Sequence, residues 1–214
     1  MPDDVFSSVR HEQSITLAPR RTALLVVDML NEFCKPGGLM VLPGYERLVP
    51  PQRSLIAAAR AQGVPIFWVI QCHDPRLRRD RELLKRGTHC LVGSWGAEVI
   101  DDLDARPEDF RVFKHRYSAF FRTDLDLMLK DMQCDQLVVT GVVTNICVRS
   151  TVHDAFFEGY EVVVPQDCCA ATSEREQNSS LYDIATHFGV VSRSDLVIDS
   201  LAQGKALTNL EGIA

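Results

Sequence analysis

Asp28, Lys114 and Cys147 are the residues of this 214-residue chain whose types and placement could do chemistry together. A thiolate attacks carbonyl carbon readily, and a carboxylate beside the thiol can take its proton as general base. A lysine ammonium near both would hold the carboxylate and favour the thiolate by charge. Such a set could open a small amide. The sulfur attacks, backbone N–H groups hold the tetrahedral oxyanion, and the carboxylic acid returns its proton to a small leaving group such as ammonia. Water then hydrolyses the thioester with Asp28 acting again as base. Taken singly, each residue has an ordinary explanation. A carboxylate at a strand end caps or organises a loop, a lone lysine lies on the surface, and a cysteine is a small buried residue.

What joins the three is their position relative to predicted strands. Residues 137–139 form an apolar run that reads as a buried strand. Residues from Asn145 onward read as a helix, with Ile146, Val148, Val152, Ala155 and Phe156 on its apolar face. Cys147 thus falls where a strand gives way to a helix N-terminus, a place that favours the thiolate. Residues 23–27 are a β-rich run that ends at Asp28, and residues 110–113 are another, followed by Lys114. Further strands are predicted over residues 64–70, 161–164 and from Val190. Helices are predicted over 48–61, 124–132 and 174–188. Residues 31–43 hold two glycines and two prolines and read as a loop. Residues 73–96 form a long excursion with a short helix at 81–85.

Strands alternating with helices predict an α/β fold with a mostly parallel sheet, and apolar central strands suit a sheet covered on both faces. In such sheets the active crevice lies beyond the carboxyl ends of the strands, where all three reactive residues stand.

Hydrophobic residues at 46% and charged ones at 24% are ordinary for a soluble globular chain, and the length suits one substantial domain. The division expected is an irregular lead-in over residues 1–20, one domain over 21–200 and a tail over 201–214. A net charge of −6 without a long basic block argues against nucleic-acid binding. No apolar run has membrane-spanning length, and the acidic, polar N-terminus is no secretory signal. The seven cysteines are odd in number and include no CxxC pair, which fits reduced thiols in a cytoplasmic protein. Neither GxGxxG nor GxxxxGK[ST] is present to suggest a nucleotide-binding module.

With these residues in place, the chain resembles the isochorismatase-like cysteine hydrolases from about Thr22 to Val191. That family includes nicotinamidases, N-carbamoylsarcosine amidases, ureidoacrylate amidases and biuret hydrolases. ALLVVDMLNEF resembles its first-strand motif with Asp28 as catalytic carboxylate. FKHRYSAFFRTDLDLML resembles its lysine segment and places Lys114. GVVTNICVRSTVHDAFFEGYEVVVPQDCCAAT resembles its nucleophile segment and places Cys147.

The resemblance implies a single-domain, three-layer α/β/α Rossmann-like fold with a six-stranded, mostly parallel sheet, assembled as a homodimer or homotetramer. It implies a cis peptide between Val142 and Val143, and an oxyanion hole made by the N–H groups of Val143 and Cys147. The activity implied is hydrolysis of a C–N bond in a small amide, carbamoyl or ureido compound. A nicotinamidase is the alternative, and a catalytically silent ligand-binding or scaffold protein is the alternative of another class.

Nicotinamidases in the family carry a D-x-H metal motif and a second histidine. Here Gln71 stands at the aspartate position, leaving His73 and His89 as weak candidates, so no cofactor is expected. Phe33 and Tyr117 are the preferred substrate-binding residues, with Trp95, Phe120 and Phe121 in segments that could also line the pocket. The basic cluster Arg76, Arg78, Arg79, Arg81, Lys85 and Arg86 reads first as a solvated face. It could also supply an arginine for a substrate carboxylate, without indicating which one. Glu98, Asp154 and Asp167 match family positions but read as caps or turn holders.

Overall fold

Residues 13–77 and 80–213 are described by a computed structural model. In chain order the elements are β1 (Ile15–Thr16), β2 (Thr22–Val27), α1 (Asn31–Cys34), α2 (Val49–Ala61), β3 (Ile66–Gln71), α3 (Arg81–Arg86), β4 (Phe110–Lys114), α4 (Leu125–Asp131), β5 (Gln136–Val142), α5 (Arg149–Phe157), β6 (Glu161–Pro165), β7 (Cys169–Ala170), α6 (Glu174–Asp183), β8 (Val190–Ser192), α7 (Ser194–Gln203) and β9 (Ala206–Leu207).

The main sheet runs β4-β3-β2-β5-β6-β8, with β7 added beside the end of β5, and its pairings are parallel. Every residue of β2, β3 and β5 is buried. The two-residue period of a strand sends alternate side chains to opposite faces. Leu24, Val26, Ile66, Trp68 and Val138 therefore meet α2 (Leu55, Ile56, Ala59) and α7 (Val197, Leu201) on one face. Ala23, Leu25, Val27, Phe67, Val69, Leu137 and Val139 meet Leu125 and Leu129 of α4 and Val152 and Ala155 of α5 on the other. The three layers, the single domain and the six ordered parallel strands are those expected from sequence.

Several local expectations need correction. The segment read as a loop from residue 31 opens with the short helix α1, whose Cys34 is buried. Strand β5 continues through Thr140 and Gly141 to Val142, because both residues keep ladder partners in β2. Phe156 is 43% exposed. The buried stripe of the helix is Val148, Val152 and Ala155, and Phe156 falls one residue beyond it. There it packs edge-on against Phe188, with ring centroids 5.4 Å apart.

The segment expected as an irregular lead-in contains β1, which pairs antiparallel with β9 and buries Ile15 and Leu17. Helix α7, absent from the sequence reading, crosses residue 200 and is tied back by Ser200 Oγ, which accepts from the Leu17 N–H at 3.1 Å. Asp167 acts as a turn holder, as expected, accepting from the N–H and hydroxyl of Ser194 at the start of α7. Residues 1–12 of the lead-in, and Arg78 and Arg79 of the basic cluster, lie outside the described residues. Among the described residues no helix is long and apolar enough to cross a membrane.

All seven cysteines are free and buried. Burial pushes each thiol above its ordinary value of 9.0, Cys34 to about 12. In the unfolded chain these thiols ionise near 9.0 while the folded chain keeps them protonated. Above that pH the unfolded state holds fewer protons, so stability falls as pH rises. A melting-temperature series should drop steeply above roughly pH 9. A melting temperature that holds to about pH 10.5 would contradict this coupling.

Candidate functional site

Parallel strands end on the same side, and the three reactive residues meet there. Asp28 follows β2, Lys114 closes β4 and Cys147 follows β5. Strand β3 lies between β4 and β2, so Lys114 reaches across its register partner Gln71 to Asp28. On the other side β5 comes in close because Gly141, with φ +111°, has no side chain. A Cβ there would sit 1.9 Å from the Val27 carbonyl oxygen. Asp28 itself has φ +53°, the left-handed turn that aims its carboxylate back over the sheet.

The polar contacts are tight. Asp28 Oδ1 accepts from the Gln71 N–H at 2.8 Å. Its Oδ2 pairs with Lys114 Nζ at 2.7 Å, and that oxygen has no aligned hydrogen bond among the described residues. Lys114 Nζ also donates to Gln71 Oε1 and lies 3.6 Å from Cys147 Sγ. Asp28, Lys114 and Cys147 are all buried, and Cys147, at 8% exposure, retains a small face on the cavity. Burial disfavours the Lys114 ammonium, but Asp28 and then Cys147 outweigh it and hold its pKa above the ordinary value.

The Cys147 thiol differs from its sequence expectation. Burial raises its pKa, Lys114 opposes, and the Asp28 charge adds to the rise. Burial and the neighbouring carboxylate outweigh Lys114, which favours the protonated thiol over the thiolate that the sequence suggested. Locally it sits on a π-helical turn, Thr144–Val148, that precedes α5. The Val143 carbonyl accepts from the N–H groups of Ile146 and Val148 and passes over that of Cys147. The peptide between Val142 and Val143 is cis, as the resemblance implied. Thr151 Oγ1 donates to the Cys147 carbonyl at 2.7 Å and accepts from the Ala119 N–H, tying the turn to the segment after β4.

These groups open into a cavity of about 260 Å³. Phe33, Met40, Val41, Leu42 and Ile146 form its apolar side, and Glu82, Arg86, Tyr117 and Thr172 its polar side. Phe33 and Tyr117 are therefore where they were expected. Trp95, Phe120 and Phe121 are not part of this lining. Trp95 and Phe121 are about half exposed, and Phe120 packs against Tyr160. The wall at residues 40–42 is held by Glu32, whose Oε1 accepts from the Leu39 N–H at 2.6 Å and whose Oε2 accepts from that of Cys90 at 3.3 Å.

Gln71, Glu82 and Arg86 are the site residues that sequence reasoning left unassigned. Gln71 carried a usable signal, since it ends a strand as Asp28 and Lys114 do. Glu82 carried none, and Arg86 was marked only as one member of the basic cluster that could meet a substrate carboxylate, because the placement of both depends on how the excursion folds back.

The metal remnant expected from two histidines gains a third member. His73, Glu82 and His89 each offer a ligand atom, and these atoms lie within 4.8 Å of one another. His73 Nδ1 donates to Asp80 at 2.9 Å and His89 Nδ1 to the Gly87 carbonyl at 2.8 Å, which turns both Nε2 atoms inward. His89 Nε2 is buried with no hydrogen-bond partner among the described residues. Two imidazoles and one carboxylate form a donor set that suits a zinc-class ion, which would supply Lewis-acid polarisation. The Gln71 amide N–H, 2.8 Å from His73 Nε2, competes for one of those lone pairs. Lys114 fixes that orientation, since flipping the amide would set N–H groups against an ammonium.

Comparison with known proteins gives a consistent picture. Residues 22–195 match the Isochorismatase domain family. A cysteine hydrolase from Pseudomonas syringae pv. phaseolicola is similar with a TM-score of 0.84 and 29% identity, over 92% of this chain and 100% of that one. An N-carbamoylsarcosine amidase from Thermoplasma acidophilum is similar with a TM-score of 0.74 and 35% identity, over 82% of this chain and 97% of that one. A nicotinamidase/pyrazinamidase from Bacillus subtilis is similar with a TM-score of 0.76 and 25% identity, over 81% of this chain and 100% of that one.

Proposed function

We propose, for a chain that belongs to the isochorismatase family of hydrolases, that it cleaves a C–N bond of a small amide, carbamoyl or ureido compound through a thioester on Cys147. The observation that carries this reading is the buried Lys114 ammonium, 2.7 Å from Asp28 Oδ2 and 3.6 Å from Cys147 Sγ, with Asp28 and Cys147 both lining one cavity.

The sequence of events follows from the protonation states. The thiol is neutral at rest, so attack requires a base, and Asp28 Oδ2 has an open lone pair. As Sγ closes on the carbonyl carbon, its proton passes to Asp28, and Lys114 keeps the pair of acidic groups in balance. The oxyanion is held by the N–H groups of Val143 and Cys147. Protonated Asp28 then gives its proton to the departing nitrogen. With ammonia gone, Asp28 draws a proton from water as it attacks the thioester; the C–S bond then breaks, Asp28 returns that proton to the sulfur, and the acid leaves.

Attack, base catalysis and charge neutralisation are all supplied by side chains, so metal-free turnover is part of the proposal. So are a cytoplasmic location, which the seven free thiols support, and assembly as a homodimer or homotetramer. The test is a panel of small amides and ureido acids assayed for ammonia release, with chelator-treated protein alongside. Activity on at least one panel member, unchanged by chelation, is the expected result. No ammonia from any member would overturn the reading. One observation, Glu82 as a third candidate metal ligand beside His73 and His89, favours a nicotinamidase instead. Ammonia from nicotinamide that is lost on chelation and restored by zinc would select it.

A further inference from the structure

The short helix α3 carries Glu82 and Arg86 at i and i+4, a spacing at which such residues ordinarily pair on a helix surface. Here they do not. The Glu82 carboxylate turns inward, accepting from the Gln71 amide at 3.2 Å and lying 3.9 Å from His73 Nε2 and 3.7 Å from His89 Nε2. Arg86 is left without a carboxylate partner among the described residues. Its side chain lines the same cavity as Cys147, beside Tyr117, whose hydroxyl its charge helps to ionise against the effect of burial. The lining also has an apolar part, with Phe33 and Met40. A cavity of about 260 Å³ thus has Cys147 in its lining and, at its exposed side, a guanidinium beside Tyr117 with no carboxylate partner among the described residues.

We propose that Arg86, assisted by the Tyr117 hydroxyl, is a carboxylate subsite, and that the preferred substrates are small amides or ureides bearing a carboxylate a few bonds from the scissile carbonyl. The guanidinium fork binds a carboxylate through two parallel N–H donors, a match that neither a neutral group nor a point-charge cation reproduces. The aliphatic link between the two ends would lie against Phe33. The proposal rests on the amidohydrolase reading for its reaction but not for its binding.

The experiment compares N-carbamoylglycine with isobutylurea, in which two methyl groups replace the carboxylate oxygens. Wild-type kcat/KM should favour the acid by at least about tenfold, the scale of one charge-assisted bidentate contact. Arg86→Met, which keeps most of the stem, should bring that ratio close to unity, mainly through KM for the acid, and Arg86→Lys should fall between. Equal turnover of both compounds by the wild type, or a loss in Arg86→Met that is the same for both, would overturn the subsite. Calorimetric binding of the two compounds to Cys147→Ser protein separates this outcome from failure of the reaction itself. Binding that prefers the acid and is lost on adding Arg86→Met supports the subsite even if neither compound is hydrolysed. Equal binding, or no binding of either, ends it.

Discussion

Replacing Cys147 by alanine should lower kcat on the best substrate of the amide panel by at least about 10⁴-fold while leaving the protein folded. The size follows from the role. Removing the nucleophile deletes the covalent route, and what remains is positioning and oxyanion stabilisation of a direct attack by water. The small structural effect follows from the surroundings. The sulfur forms part of the cavity wall, so its loss widens an existing space and seals no new void. Its closest polar contact, Lys114, keeps Asp28 and the Gln71 carbonyl as partners. The melting temperature should move by no more than a few degrees. A folded alanine variant that retains turnover within about tenfold would remove Cys147 from the reaction.

Asp28→Asn should have an effect of similar size on turnover, with a second consequence of opposite sign. Without the carboxylate there is no base for the thiol proton and no acid for the leaving nitrogen, so kcat should fall by about 10³-fold or more. The same carboxylate is one of the groups that raise the Cys147 pKa, while Lys114 lowers it. Asparagine removes the first influence and leaves the second, so the thiol pKa must fall. Iodoacetamide should therefore alkylate Cys147 faster in the variant than in the wild type at pH 7 to 8, although the variant is the poorer catalyst. Slower alkylation in Asp28→Asn would mean that the carboxylate holds the thiolate up by another route, such as positioning Lys114. The variant also strands a buried ammonium, and a stability loss of about 3 kcal/mol or more is expected.

The reactive set was legible because its members sit at the ends of apolar runs, and parallel strands place such ends side by side whatever the intervening loops do. The state of the thiol was not legible. Its position at a helix N-terminus pointed to a thiolate, whereas burial, a property of the whole fold, favours the thiol. The excursion between β3 and β4 was legible only as charged. Its Glu82 turns to two imidazoles and its Arg86 to the cavity, contacts that no periodicity encodes. Likewise β1 and β9, two residues each, pair across nearly the full length of the chain, which leaves too short a pattern to read.

The most direct test of thioester catalysis is mass spectrometry of wild-type enzyme quenched in acid during turnover of its best amide, followed by digestion. The acyl part of the substrate should appear on the peptide containing Cys147, be released by hydroxylamine, and be absent from the Cys147→Ala protein. Turnover that proceeds with Cys147 unmodified throughout, or an acyl group found on a different residue, would contradict it.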